Sequence, residues 1–484
     1  MTQGQLIWIV IFSIYYSVVL VFFFRILLEN KNPLKTQSYL LLMVLLPVIG
    51  MLIYLFFGVN YRKQKLYSRK GFSDQKIIQG WIRDYDNLLN QSTDDVKELL
   101  NEKAKLPFLF WRNNYSSISS NNDVIILKNG ELKFPRLLES IQSASHHIHL
   151  EYYIFDDDNI GSKIIDALCE RANEGIEVRM IVDALGSNHI KDKTVKKLKR
   201  FGVEFYEYNP VIFTSLANRV NYRDHRKIVV IDGREGFVGG INISDKYINS
   251  ANSDLYWRDT HCMIRGDAVY SLQVLFMLNW YFVSKKLIQP ENEYFPAIDN
   301  QGDVLTAIIS SDPDSDNANL MEGYFSMINT AREEILIVTP YFIPNESMLT
   351  ALKTAAKGGV DVKLLMPRKP DSVFVHSASL TYMGELLRND IKVFLYEKGM
   401  IHAKVMIIDG ELATVGTANM DYRSFDNNAE VNAVFFDENI AGQLKSQFNQ
   451  DLDSSKQLDY LSWKNLPLHT KLIGSIGRLV APLL

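Results

Sequence analysis

The stretch HRKIVVIDG, from His225 to Gly233, and the stretch HAKVMIIDG, from His402 to Gly410, decide the fold of this chain. Both belong to a longer pattern with one spacing rule: His, one residue, Lys, four residues, Asp, six residues, Gly, two residues, Asn. The second copy starts 177 residues after the first and agrees with it over 18 positions, which indicates an internal duplication. An apolar run that ends in Asp-Gly is typical of a strand entering a tight hairpin turn.

The segments upstream of the two motifs repeat as well. A strand, a helix and a strand are predicted first over His147–Phe155, Ile160–Ala172 and Glu177–Val182, and again over Glu334–Phe342, Ser347–Ala356 and Asp361–Met366. Such units imply crossover connections between parallel strands. We therefore predict an α/β protein with two pseudo-symmetric halves, 116–295 and 296–470, each a mixed, largely parallel sheet flanked by helices. The link between the halves is predicted near Asn292–Asp303.

The first 60 residues hold most of the hydrophobic excess. Apolar runs over about 6–28 and 39–59 are each long enough to cross ~30 Å of hydrocarbon as a helix. The alternatives are a buried core helix and a cleaved signal peptide, but Met1–Gln5 lacks the basic residues with which signal peptides begin. We predict a two-helix transmembrane hairpin which, with its basic flank, occupies residues 1–70.

Positive charge flanks the predicted hairpin unevenly. Its loop holds Lys31 and Lys35, and a larger cluster follows the second run, namely Arg62, Lys63, Lys65, Arg69 and Lys70. Because Lys and Arg accumulate on the cytoplasmic side of membrane helices, both termini and everything after Val59 are predicted to lie inside the cell.

Two further segments have a less distinctive pattern. Residues 71–115 are mostly polar and predict a helical linker. Residues 471–484 place apolar side chains at helical spacing, which predicts an amphipathic segment that either lies on the membrane or packs on the protein's own core. Gly474 and Gly477 weaken any helix there.

The overall composition is that of a globular protein. With 484 residues the chain is too long for one ordinary core, and its 47% apolar and 22% charged residues exclude a disordered or fibrous class. The 52 basic and 56 acidic residues give a net charge of −4, so no basic excess points to a nucleic-acid partner. Cys169 and Cys262 cannot form a disulfide framework and suit a reducing compartment.

The duplicated motif carries groups suited to phosphate chemistry. The histidine and the lysine of each copy are two positions apart, so they share one face of a strand. An imidazole can be nucleophile, base or acid near neutral pH, and an ammonium is a compact charge suited to phosphate oxygens. Asn242 and Asn419 add hydrogen-bond donors. Downstream carboxylates, Asp259 and Glu430, are candidates to hold an imidazole in one tautomer.

The aspartates of the motif, Asp232 and Asp409, have two interpretations. Each is either a catalytic residue or a structural residue of the hairpin turn.

A metal site is the main alternative chemistry. A lysine beside each motif histidine would repel a cation, and no set of ligands at metal spacing accompanies either histidine. His147, His149 and Glu151 share a strand face and form the rival metal candidate, for which an ordinary strand is the favoured interpretation. No Walker loop or dinucleotide fingerprint is present. We predict neither a metal nor a cofactor.

With its duplicated His-x-Lys-x4-Asp motif, the chain resembles the phospholipase D superfamily and, more narrowly, the bacterial cardiolipin synthases. The narrower resemblance rests on the two apolar spans and on EYYIF (151–155), GGINISDKY (239–247), YWRDTH (256–261), TPYFIP (339–344), GTANMDYRSF (416–425), NNAEVN (427–432) and RLVAPLL (478–484). It covers essentially the whole length. The second motif carries Gly-Thr where the first has Gly-Gly, a variation that the superfamily itself shows.

The resemblance implies one active site built from both halves, without metal or organic cofactor. It implies His225 as the nucleophile that forms a phosphohistidine and His402 as the general acid and base, although pseudo-symmetry leaves the reverse open. It also implies that Asp259 orients His225 and that Glu430 orients His402. The implied catalytic set is His225, Lys227, Asp232, His402, Lys404 and Asp409, and the implied phosphate-binding set is Lys227, Asn242, Lys404 and Asn419.

The implied reaction is a phosphatidyl transfer at a bacterial cell membrane. Phosphatidylglycerol would be both donor and acceptor, and the products would be cardiolipin and glycerol. The close alternative is a membrane-bound phospholipase D that hydrolyses phosphodiesters to phosphatidic acid. A phosphatidylserine synthase, a membrane-bound nuclease and a catalytically inactive scaffold are more distant alternatives.

Overall fold

The computed structural model describes residues 3–29, 33–54, 103, 105–114, 116–209, 222–249, 255–313, 315, 317–369 and 371–480. The predicted basic flank at 62–70 and most of the predicted linker at 71–115 lie outside these residues. Part of that linker is described, and it forms helix α4, Lys105–Asn114.

The N-terminal region forms one long helix and two short ones. Helix α1 spans Gln3–Glu29, and its Gln3–Leu28 segment is the one described helix that is long and apolar enough to cross a membrane. The second predicted span is not one continuous helix, because α2 (Pro33–Leu45) and α3 (Pro47–Ile53) are separated at Leu46. Pro47 has no amide hydrogen and disfavours helical geometry in the residue before it, which explains the break. The remainder of that run, from residue 55, lies outside the described residues.

The first half contains a strand–helix–strand unit followed by hairpin strands. Its elements in chain order are β1 Asn122–Lys128, α5 Asn129–Ser143, β2 His147–Tyr152, α6 Asn159–Asn173, β3 Glu177–Asp183, α7 Asp192–Arg200, β4 Glu204–Tyr208, β5 Lys227–Ile231, β6 Glu235–Gly239, β7 Tyr256–Arg258, β8 Thr260–Gly266 and α8 Ala268–Ser284. A short 3-10 helix, Asp245–Tyr247, lies between β6 and β7.

The second half repeats this order. Its elements are β9 Leu305–Ser311, α9 Asn319–Ile328, β10 Glu334–Val338, β11 Phe342–Ile343, α10 Glu346–Lys357, β12 Asp361–Pro367, α11 Val373–Leu387, β13 Lys392–Tyr396, β14 Gly399–Ile401, β15 Val405–Ile408, β16 Leu412–Gly416, β17 Met420–Asp421, α12 Tyr422–Asp426, β18 Glu430–Phe436, α13 Glu438–Leu452, β19 Ser455–Gln457, α14 Tyr460–Lys464 and α15 Leu468–Val480. The strand–helix–strand units predicted in both halves are confirmed.

The two large sheets have equivalent strand orders. The first is β1-β8-β6-β5-β2-β3-β4, and the second, read from its other edge, is β9-β18-β16-β15-β10-β12-β13-β19. Both are mixed, as predicted, but the prediction that they are largely parallel is wrong. In the first sheet, β2 pairs in parallel with β3, and β3 with β4. In the second sheet, β10 pairs in parallel with β12, and β12 with β13. The other ladders of these two sheets are antiparallel. The duplicated motifs form hairpins, and a hairpin pairs its strands antiparallel.

The Asp-Gly pairs form the predicted hairpin turns. Asp232 and Gly233 have φ of 54° and 65°, and Asp409 and Gly410 have φ of 54° and 67°. Two successive positive φ values match the right-handed twist of the flanking strands, which is why Asp-Gly is favoured there.

The two halves share one apolar core. Ile228 and Val230 from the first sheet belong to the same buried cluster as Ile407 and Val415 from the second. These side chains belong to the two motif hairpins, so the packing that joins the halves also brings the two motifs together.

Candidate active site

The first histidine–carboxylate pair follows a ladder between the halves. Strand β14 pairs with β7 in parallel, with Ile401 opposite Arg258. The ladder continues one step further, since the amide of His402 donates to the carbonyl oxygen of Arg258 over 2.7 Å. The next side chains along each strand therefore meet, and His402 Nδ1 lies 2.7 Å from Asp259 Oδ2.

The second pair is built in the same way. A parallel bridge joins Asp224 of the first half to Ala429 of the second, and the amide of His225 donates to the carbonyl oxygen of Ala429 over 2.9 Å. His225 Nδ1 consequently lies 3.1 Å from Glu430 Oε1. Each histidine is thus held by the carboxylate of the opposite half.

The predicted pairing of Asp259 with His225 and of Glu430 with His402 is therefore wrong. Both carboxylates contact a motif histidine as expected, but the partners are exchanged. The reason is the register of the two bridges between the halves. Each bridge places the carboxylate of one half next to the histidine that begins the motif of the other half.

The Gly-Gly and Gly-Thr difference between the motifs follows from these carboxylates. A Cβ added to Gly240 would lie 2.1 Å from Asp259 Oδ1, so this position has no room for a side chain. At the equivalent position in the second half, the hydroxyl of Thr417 donates to Glu430 Oε2 over 2.5 Å. The first half thus makes space for its carboxylate, and the second adds a hydrogen bond to it.

Both histidines line one cavity of about 430 Å³. The predicted phosphate-binding residues Lys227, Asn242, Lys404 and Asn419 line it too. The four side chains come from opposite halves, so the structure brings the predicted set together around a single space.

The lysines lie close to the histidines of their own motifs. Lys227 Nζ donates to the carbonyl oxygen of His225 over 2.7 Å, and Lys404 Nζ lies 3.1 Å from the ring nitrogens of His402. Burial lowers the pKa of Lys227 to about 8 and that of Lys404 to about 7, despite the raising effect of the nearby carboxylates. Both ammonium groups would regain favourable interactions if an anion entered the cavity.

The two asparagines differ in how their amides are used. Asn242 donates to the hydroxyl of Tyr247 over 2.8 Å and accepts from the amide of Ile154 over 3.2 Å. Asn419 donates to Asp421 Oδ2 over 3.2 Å, while its buried Oδ1 has no hydrogen-bond partner among the described residues. Asn242 is held more completely by the protein than Asn419.

The pKa values of both histidines lie below the ordinary value of an imidazole. Burial lowers the pKa of His225, and burial together with Lys404 lowers the pKa of His402 to about 4. For Asp259 and Glu430, burial raises the pKa, but the paired histidine, a nearby lysine and hydrogen bonds together outweigh burial and the net shift is downward. Each pair is therefore a neutral imidazole whose Nδ1–H donates to a carboxylate.

Asp232 and Asp409 contact turn amides and not the histidines, which favours the structural interpretation of these two residues over the catalytic one. Asp232 accepts from the amides of Ser145, His146 and His147 at 2.7–2.9 Å. Asp409 likewise accepts from the amides of residues 332, 333 and 334 at 2.8–2.9 Å. Each carboxylate ties its hairpin turn to the start of a neighbouring strand, at the far end of the motif strand from the lysine.

Replacing Asp409 by alanine is expected to lower the free energy of unfolding by about 1–3 kcal/mol, because backbone amides lose their acceptor. The kcat of the folded enzyme should stay near that of the parent. Thermal unfolding and initial-rate assays on the same preparation test this, with Asp166→Ala as an exposed-carboxylate control. Loss of kcat with an unchanged Tm would instead support a catalytic role.

Aromatic residues at the cavity are functional candidates that the sequence reasoning did not assign. The ring centroid of Tyr153 lies 4.0 Å from that of His225, and the ring centroid of Trp257 lies 5.7 Å from that of His402. Lys246 Nζ lies 4.6 Å from the Trp257 centroid. All three occur in segments quoted for the resemblance, which is the signal that pointed to them.

A hydroxyl–carboxylate pair completes the cavity wall. Tyr341 donates to Asp371 over 2.6 Å, and both side chains line the cavity. Tyr341 lies in the quoted TPYFIP segment, whereas no motif in the sequence singled out Asp371.

The rival metal candidate is a buried polar layer beneath helix α8. His147 Nε2 lies 3.3 Å from Gln273 Oε1, His149 Nδ1 lies 2.9 Å from Gln273 Nε2, and Asn279 donates to Glu151 over 2.7 Å. Amides of α8 thus contact each of these groups. Within the described part of the chain, no cluster of His, Cys, Asp and Glu has the geometry of a metal site.

Two halves that each contribute a His-x-Lys motif to one shared cavity define the phospholipase D class of protein. The family model described as "Cardiolipin synthase, PLD-like domain" matches residues 137–264 and 324–452, and the model described as "Phospholipase_D-nuclease N-terminal" matches residues 17–58. The chain belongs to the cardiolipin synthase family.

Individual relatives agree with this assignment. The chain is 39% identical over 478 residues to a cardiolipin synthase of Geobacillus thermodenitrificans, covering 98% of this chain and 94% of the relative. It is 38% identical to the major cardiolipin synthase of Bacillus subtilis, covering 94% and 95% respectively. The predicted enzyme class, a phosphatidyltransferase of the cardiolipin synthase type, is confirmed.

A solved structure supports the fold alone. The phosphatidylserine synthase of Haemophilus influenzae superposes with a TM-score of 0.61 at 14% identity, over 78% of this chain and 100% of that one.

Proposed function

We propose that the cavity transfers a phosphatidyl group from one phosphatidylglycerol molecule to another, giving cardiolipin and glycerol. The observation that carries this proposal is the pair of crossed histidine–carboxylate contacts, His225 with Glu430 and His402 with Asp259, in one cavity. A carboxylate holds Nδ1 of each imidazole, so Nε2 of each remains for the phosphorus, and an in-line displacement needs one such nitrogen for the attack and the other for the leaving oxygen.

In the first step His225 is the nucleophile. Its Nε2 attacks the phosphorus of the donor lipid, while Glu430 stabilises the positive ring that forms. The bond from phosphorus to the glycerol oxygen breaks, and His402, which takes up a proton on Nε2 when the anionic donor binds, gives that proton to the oxygen. Lys227 and Lys404 stabilise the nonbridging oxygens as charge develops on them.

In the second step the acceptor lipid replaces glycerol. Its terminal hydroxyl gives its proton to His402 and forms a new bond to phosphorus, while the bond to His225 breaks. One phosphodiester is exchanged for another, so no nucleotide is needed and both histidines return to their starting states. The transfer is therefore reversible.

The role of each histidine rests on family resemblance. The low pKa of His402 means that its acid form requires the bound phosphodiester, whose negative charge raises that pKa. A neutral ring also suits a nucleophile, so trapping the phosphohistidine in each single-histidine variant decides between the two assignments.

Product analysis tests the reaction itself. Full-length protein in vesicles that contain phosphatidylglycerol, radiolabelled in the head-group glycerol and in the acyl chains, is expected to release one glycerol per cardiolipin formed. The hydrolase alternative predicts phosphatidic acid in place of cardiolipin, and that product alone would defeat the transfer proposal.

The pH dependence of kcat/KM tests the buried lysines. As pH rises through about 7 to 8, Lys404 and then Lys227 lose their charge in the free enzyme, and the anionic lipid binds less well. We therefore expect kcat/KM, which reports the free enzyme, to fall on the basic side in this range. A decline only near 10.5, the ordinary pKa of lysine, would contradict the lowered values.

Helix α1 fits an anchor in the bacterial cell membrane. We propose that the second apolar run completes a two-pass anchor and that the catalytic halves face the cytoplasm. The basic residues that flank the two runs support this orientation. Anchoring holds the site next to both lipid substrates and raises their effective concentration.

A further inference from the structure

Helix α15 packs on helix α11 with its small residues. A Cβ added to Gly474 would lie 2.3 Å from the carbonyl oxygen of Ser377, and one added to Gly477 would lie 2.9 Å from Ala378 Cβ. The two glycines therefore allow a close approach between the helices. Glycine weakens an isolated helix, but in this fold the two glycines form the surface of α15 that contacts α11.

The opposite side of α15 exposes a row of large apolar residues. The exposed fractions are 81% for Leu468, 60% for Leu472, 48% for Ile476 and 70% for Leu479. Their spacing of three and four residues places them on one face. A surface helix of a water-soluble domain packs its apolar face inward, so this helix has the reverse arrangement.

Aromatic and basic residues border this row. One surface depression of about 920 Å³ is lined by Leu479 of the row together with Tyr460, Trp463, Lys464, Lys471 and Arg478. Trp and Tyr favour the boundary between headgroups and acyl chains, and Lys and Arg are attracted to anionic headgroups. The combination is that of a helix lying in a membrane interface.

The position of α15 in the fold agrees with a membrane contact. Ser38 of the N-terminal helix α2 lines the same depression, so α15 lies beside the membrane anchor. Gly477 also lines the catalytic cavity together with Phe374 at the start of α11, where Val373 is exposed. The side of α15 that packs on α11 therefore reaches the wall of the catalytic cavity, while its opposite side carries the apolar row.

We propose that the exposed face of α15, formed by Leu468, Leu472, Ile476 and Leu479, inserts into the headgroup–acyl boundary of an anionic lipid bilayer. Gly477 and Phe374 line the catalytic cavity, so this contact brings the bilayer close to the cavity and lets lipids enter it from the membrane. The membrane contact stands independently, whereas its use as a lipid entrance rests on the proposed function.

Depth-dependent quenching in vesicles tests the insertion. The variants Leu472→Cys and Leu479→Cys of the full-length protein are labelled with an environment-sensitive fluorophore, since native Cys169 and Cys262 are buried. The vesicles contain phosphatidylglycerol and phosphatidylethanolamine, with nitroxide quenchers on the headgroup or on the upper acyl chain. The matched control is Leu132→Cys, whose parent leucine is 53% exposed in the first half.

We expect the upper-chain quencher to reduce the fluorescence at 472 and 479 about twofold or more relative to 132. Replacing the anionic lipid by phosphatidylcholine should weaken that quenching. Equal quenching at all three positions overturns the proposal, as does energy transfer between labelled copies without lipid quenching, which would assign the face to a dimer. No turnover is involved, so a failure here is separate from a failure of the product analysis.

Discussion

Replacing His225 or His402 by alanine is expected to lower phosphatidyl transfer by at least about 10³-fold, the largest effect of any single substitution. One variant lacks the nucleophile and the other lacks the group that moves the proton. Because the two histidines act as a unit, the double variant should be hardly slower than either single variant. Initial rates of cardiolipin formation in vesicles measure all three.

The control for these variants is His189→Ala. His189 is a largely exposed histidine paired with Asp156, and it does not line the catalytic cavity. It should retain the parental rate, and all variants should remain inserted in the membrane. Near-normal turnover by either motif variant would contradict the paired-histidine mechanism.

Asp259→Asn and Glu430→Gln are each expected to lower the transfer rate by about 10²- to 10⁴-fold, because the amide neither fixes the tautomer nor stabilises the charged ring. The exchanged pairing makes the two variants distinguishable. Asp259 supports His402, so its loss should matter little for a lipid with a nitrophenolate leaving group, which needs no proton. Glu430 supports His225, so its loss should slow the attack on either substrate.

Single-turnover release of nitrophenolate measures this difference, with Asp166→Asn as an exposed-carboxylate control. If the activated lipid instead rescues Glu430→Gln and not Asp259→Asn, each carboxylate serves the histidine of its own half or the roles of the two histidines are reversed.

Most of the fold can be predicted from the sequence because local sequence patterns specify it. Apolar runs ending at Asp232 and Asp409 specify hairpin turns, and each turn residue has the positive φ that Asp-Gly tolerates. The duplication then implies two equivalent halves. The excess of antiparallel ladders follows from these same hairpins, whereas the crossover units by themselves predict parallel ladders.

The pairing of each carboxylate with its histidine cannot be predicted from the sequence, because it depends on contacts between the halves. Nothing near His225 in the chain indicates that Ala429 will pair with the preceding residue, Asp224. The outward orientation of the apolar face of helix α15 also depends on a tertiary contact, so it cannot be predicted from the sequence. Gly474 and Gly477 weaken an isolated helix, and their value appears only where they contact helix α11.

The most direct test of the central claim is to trap the covalent intermediate. His402→Ala, supplied with a phosphatidyl nitrophenyl ester, is expected to release one nitrophenolate per active site and to keep the phosphatidyl group on His225, located by peptide mass spectrometry. His225→Ala should give neither the burst nor the label. A label on His402 in the His225→Ala variant would reverse the two roles, and a burst without a label on either histidine would contradict the account.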